Sequence, residues 1–113
     1  MDRYLYFYRA GTPEVSLPPG EDQLNRIESL IHEMTMAGVL VAIEGCSPTL
    51  HDARIWTDDG EPRVVDGPFA DTKQLISGVV LVQMKSKADA VHWGKRLLAI
   101  LGEGSVELRL LAR

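Results

Sequence analysis

The chain has 113 residues, of which 45% are hydrophobic, with a formal net charge of −4 and an isoelectric point near 5.3. That length suits one domain spanning residues 1–113 with a core of its own, and the net acidity argues against nucleic acid as a main partner. A single cysteine, Cys46, leaves no internal disulfide to form, and no apolar run is long enough to span a bilayer.

The N-terminal MDRYLYFYRA lacks the basic-then-apolar layout of a signal peptide, so a cytoplasmic location is expected. Residues 3–9 alternate Tyr4, Tyr6 and Tyr8 with Leu5 and Phe7, a strand with apolar or aromatic side chains on both faces. Pro13, Pro18 and Pro19 mark residues 11–20 as a loop. A helix starts near Glu21 and Asp22, which suit the positive end of its dipole, and carries a buried stripe of Leu24, Ile27, Leu30, Ile31 and Met34. Gly38 ends it.

Residues 39–44 form a second strand that is apolar on both sides, and residues 53–57 a third. The third turns at Asp58-Asp59-Gly60 into a short return over residues 63–65. Residues 75–84 make the longest apolar strand, in which Gly78 marks a bulge or a close backbone approach. Ser86, with Asp89 three residues on, caps a second helix whose buried stripe is Ala90, Val91, Gly94, Leu97, Leu98 and Leu101. Gly102 and Gly104 end that helix, and residues 105–111 supply a last strand.

Set apart from its extra hairpin, this order is the split βαβ of a ferredoxin-like α+β fold. Two helices cover only one face of such a sheet, yet several strands are apolar on both. A second copy packed sheet to sheet, a homodimer, is the simplest cover. A barrel of that kind leaves a cavity for a small molecule.

Between the apolar runs lies Asp66-Gly67-Pro68-Phe69-Ala70-Asp71-Thr72-Lys73, which is denser in chemistry than folding requires. Pro68 fixes its own φ and pushes Gly67 out of the helical region, so the turn is stiff. Asp66 is either a turn former bonded to a nearby amide or a working carboxylate.

The segment DGPFADTK, preceded by AGVLVAIEGCSP and followed by QLISGVVLVQMKSKADAVHW, resembles the DGPF-motif family of the YCII-related superfamily. The resemblance runs from Gly38 onward. It implies a ferredoxin-like fold that dimerises into an α/β barrel, without an established activity. In the wider superfamily an Asp at the position of Asp66 pairs with a first-helix His, and one branch uses that pair in a dehydrochlorination. Here the equivalent helix position falls near Ile27, and His32 sits on a different helical face. The dyad is therefore not expected in this chain. Asp71 and Gln74 stand where the family usually has glutamates.

Asp66 is the candidate catalytic acid/base. Glu44 and Arg54, which also match the family pattern, are expected to meet either as a structural ion pair or at a ligand site. Phe69, Thr72 and Lys73 complete the candidate substrate-binding set. Trp56 and the first-strand tyrosines are expected in the core or a dimer contact. The Cys46–His51–Asp52 string has no paired ligands at zinc spacing, so no metal site is expected, and no nucleotide or cofactor fingerprint occurs. His51 and His92 are expected as loop and surface residues.

Two functions follow. One is a cofactor-free enzyme doing proton-transfer or elimination chemistry, with Asp66 as acid/base and Arg54 or Lys73 as anchor. The other is a non-catalytic ligand-binding or regulatory module associated with sigma-factor-linked transcription control, since genes of the resembled family often neighbour those of such factors.

Overall fold

Strand β1 (Asp2–Arg9) is the spine of the molecule, because its alternating aromatic side chains let a single strand serve two faces. The computed structural model describes residues 1–11, 20–47, 49–70 and 75–112. Tyr4 and Tyr6 are buried on the helix side, whereas Leu5 and Phe7 leave the opposite face. After β1 come α1 (Glu21–Met36), β2 (Leu40–Gly45), a 3-10 turn (Thr49–His51), β3 (Ala53–Asp58), β4 (Glu61–Asp66), β5 (Gly78–Met84), α2 (Lys87–Leu101) and β6 (Ser105–Leu110).

The main sheet has the order β2-β5-β1-β6 and every neighbouring pair is antiparallel. This is an α+β arrangement compatible with a ferredoxin-like fold. Among the described residues no helix is long and apolar enough to cross a membrane.

The start of α2 and the end of α1 have local causes. Asp89 N–H donates to the Ser86 Oγ at 3.1 Å, satisfying one of the first free amides of α2. At the end of α1, Gly38 takes φ +73°, and its N–H donates to the Thr35 carbonyl at 3.0 Å. Leu30 and Met34 of α1 and Ala90, Gly94 and Leu97 of α2 are buried.

Two stripe residues depart from expectation. Leu24 is 46% and Val91 38% exposed, because each lies at the edge of a stripe narrower than the periodicity suggests. Gly94 packs beneath the Tyr6 ring, where a Cβ would stand 3.5 Å from the ring, an ordinary van der Waals contact.

Strand β5 begins at Gly78 rather than Leu75. Gly78 is no bulge but a close approach, since its Cβ would lie 3.3 Å from the Glu44 carbonyl on β2. The bulge is on β2 instead. Leu40 faces Val82 and Ala42 faces Leu81, two residues of β2 against one of β5. That extra residue puts Leu40 and Ile43 against the core and shifts the phase of everything after it.

The return strand β4 is longer than expected, and β3 and β4 pair only with each other, through a turn with Asp59 at φ +49° and Gly60 at φ +81°. This hairpin leaves the main body. The radius of gyration is 15.9 Å, against about 13 Å for a compact domain of this length, and the molecule is only 17 Å thick.

Tyr6 is 1% exposed and donates its phenol to the Ala90 carbonyl. Burial pushes that phenol up to about 12. A phenol that ionises near 10 when unfolded and near 12 when folded stabilises the fold fully below pH 10, and the contribution is lost as pH rises through 12. Stability measured by urea unfolding is therefore expected to fall between pH 10 and 12, by roughly 3 kcal/mol at most from this group. The same fall should be smaller in Tyr6→Phe; an equal fall in both proteins would assign it to other groups.

Candidate functional site

The DGPF segment closes on the 3-10 turn, and one buried side chain organises the contact. Thr49 is 6% exposed, and its Oγ1 accepts the Phe69 N–H at 2.9 Å. Its carbonyl accepts the Asp52 N–H at 3.0 Å, and the Asp52 carbonyl accepts the Gly67 N–H at 2.8 Å. The Gly67-Pro68 peptide is cis. Only glycine fits at 67, because a Cβ there would stand 1.8 Å from the Thr49 carbonyl oxygen.

The Arg54 guanidinium lies over the Phe69 ring, 4.0 Å from its centroid. Arg54 and Phe69 are thus brought together. Arg54 and Asp66 are not on one face of the hairpin, since Arg54 is opposite Val65 while Asp66 is opposite Ala53. Asp66 is exposed at the end of β4. Thr72 and Lys73, with Asp71 and Gln74, lie outside the described residues.

Glu44 and Arg54 sit on different sheets, so β3 is not the neighbour of β2 that the expected pair requires. Glu44 is opposite Val79, one residue out of phase with Ile43 and Val80, which face the helices. Its carboxylate therefore leaves the sheet on the open face. Without the bulge it would have pointed under α1.

A cleft of about 670 Å³ opens between α1, the end of α2 and the sheet ends of β1, β2 and β5. Its apolar wall comprises Ile27, Ile31, Ile43, Val80, Leu97 and Leu101. Polar side chains at its edge are largely committed to backbone. Gln23 Nε2 donates to the Ile100 carbonyl at 3.0 Å, and the Tyr8 phenol donates to the Glu103 carbonyl at 2.7 Å. Burial, with the nearby Glu103 charge, pushes the Tyr8 phenol above its ordinary value. Ser77 Oγ accepts the Ala10 N–H at 3.3 Å, and the exposed Cys46 completes the rim.

The histidines stay outside this cleft. His32 is exposed on α1, His51 is exposed in the 3-10 turn, and His92 is exposed with its ring edge-on to Trp93 at 5.9 Å. Ile27, where the resembled superfamily would place its histidine, lines the cleft. Among the described residues no three His, Cys, Asp or Glu side chains gather as metal ligands. Between the helices, Arg96 binds Glu33 with both guanidinium nitrogens and lies over Trp93; the Arg96 hydrogen bond holds the Glu33 carboxyl below its ordinary value.

The YCII-related domain family matches residues 13–110, which takes in both helices, the hairpin and every strand of the main sheet except β1. The chain belongs to the YCII-related family. An uncharacterized protein of Rhizobium meliloti (strain 1021) is similar to it, 36% identical over 77 residues. That match covers 67% of this chain and 62% of the relative, so the YCII-related chain spans less than two thirds of the relative's length.

Sequence reasoning missed Thr49, Tyr8, Gln23 and Ser77 as site-building residues. A threonine between a proline and a helical turn was a weak signal for Thr49. The others act through partners 67 to 95 positions away, which no local pattern announces.

Proposed function

We propose that this YCII-related protein binds a small organic molecule in the cleft beneath α1 and works as a homodimer. The cleft itself carries the first part: about 670 Å³ with an apolar wall lies within the range of small-molecule sites. The unpartnered surfaces support the second. Leu5, Phe7, Val79 and Leu81 share the uncovered sheet face. On the detached hairpin, Ile55 is 72% and Val64 60% exposed, and a lone two-stranded hairpin is marginal in water. A second copy covering the sheet and hairpin gives both an apolar neighbour, and closes the pair into the barrel that the DGPF resemblance implies.

The binding reading takes precedence over the enzymatic one because the cleft has isoleucine where the superfamily dyad needs histidine. The acid/base reading keeps one observation in its favour. Asp66 is presented by a turn held at Thr49 and Gly67, and its carboxylate makes no hydrogen bond or ion pair among the described residues.

A thermal-shift screen of small metabolites on the wild type, Asp66→Asn and Ile31→Trp separates the two. A compound that raises the melting temperature of the wild type and Asp66→Asn but not Ile31→Trp supports cleft binding without the motif. Loss in Asp66→Asn alone would move the site to the DGPF turn and call for turnover assays. Elution at the mass of one chain at micromolar concentration would contradict the homodimer.

A further inference from the structure

We infer that the cleft selects an uncharged ligand with an apolar body and a hydrogen-bond-donating head, and rejects organic anions and cations of the same shape. This rests on the cleft being the ligand site. Three observations carry it.

First, Glu44 is the sole carboxylate residue bordering the cleft among the described residues, and the β2 bulge turns its side chain to the opposite sheet face. No lysine, arginine or histidine lines the cleft among those residues. A charged head group entering it would lose water and meet no counterion among the described residues, which is a costly exchange for an apolar site to impose.

Second, two of the polar groups at the edge, Gln23 and Tyr8, are spent as donors. Gln23 gives its amide N–H to the Ile100 carbonyl and Tyr8 gives its O–H to the Glu103 carbonyl. What they retain is acceptor capacity, the Gln23 Oε1 and the Tyr8 Oη lone pair. No buried polar side-chain atom lacks a partner among the described residues, so the Gln23 Oε1 is open to solvent and to a ligand. A head group that donates an O–H or N–H fits these two acceptors.

Third, the same two bonds fix the end of α2 over the cleft, so the wall formed by Leu97 and Leu101 is held in place before a ligand arrives. A preformed apolar wall favours a ligand by burial.

The test uses three probes of one shape, 4-phenylbutan-1-ol, 4-phenylbutanoate and 4-phenylbutylammonium, at pH 7. Cys46, the chain's one cysteine, stands exposed at the cleft rim and serves as reporter. Each probe is scored by how far it slows alkylation of Cys46 by iodoacetamide, followed by mass spectrometry, and by calorimetric titration. The alcohol is expected to protect Cys46 and to bind at least tenfold more tightly than either ion, with binding lost in Ile31→Trp or, should that variant misfold, in Ile27→Phe.

Binding of the carboxylate or the amine as tightly as the alcohol, with Cys46 protected, would overturn the selection for neutral ligands and leave the cleft as the site. If none of the three binds, or if binding persists in the filled variants without protecting Cys46, both the selection and the cleft reading fall.

Discussion

Replacing Gly67 by alanine is expected to detach the DGPF turn from the 3-10 turn while the main sheet stays folded. The new Cβ would stand 1.8 Å from the Thr49 carbonyl oxygen and 2.9 Å from its carbon, and both obstacles are backbone. Relief requires the turn to move away. That breaks the Gly67 N–H bond to Asp52 and the Phe69 N–H bond to Thr49 Oγ1, and it pulls Phe69 from under Arg54. Two hydrogen bonds and one cation–π contact amount to roughly 2–3 kcal/mol of local stability. Amide exchange at Gly67 and Phe69 should accelerate about 100-fold, with Val80 and Val82 in β5 unchanged. Unchanged protection at Gly67 would mean that the turn is not held where the contacts put it.

Tyr6→Ala is expected to have the largest effect on global stability, about 3–5 kcal/mol. Tyr6 is packed at the centre of the core, with its ring against Gly94 of α2 and its strand between β5 and β6. Tyr6→Phe keeps the ring and loses the bond to the Ala90 carbonyl, for about 1 kcal/mol. Urea unfolding of the three proteins checks the order. A Tyr6→Phe variant as unstable as Tyr6→Ala would show that the hydroxyl, not the packing, holds α2 on the sheet.

What could be read from the sequence was local. Ser86 caps α2, Gly38 ends α1 and Asp59-Gly60 makes the hairpin turn because each depends on neighbouring backbone alone. The two-faced β1 was equally legible, since alternation on one strand needs no knowledge of its partners.

The site was less so. Glu44 was a natural partner for Arg54 only if β2 and β3 were neighbours, and the hairpin pairs with itself instead. Its direction was set by the bulge between Leu40 and Ala42, which an unbroken apolar run conceals. Asp66 and Arg54 belong to one motif region but to opposite faces of the hairpin, a matter of register that spacing did not supply. The cleft joins Tyr8, Gln23, Ile27 and Cys46 with Ser77 and Leu101, segments that only the tertiary fold brings together.

Chemical-shift mapping on uniformly labelled protein tests the cleft most directly. On titration with the alcohol probe, the largest amide shifts are expected at Ile27, Ile31, Gly45, Ser77 and Gly78, with Gly67 and Phe69 nearly still. Shifts concentrated at residues 66–70 or on the β3–β4 hairpin, with the cleft amides silent, would contradict the account.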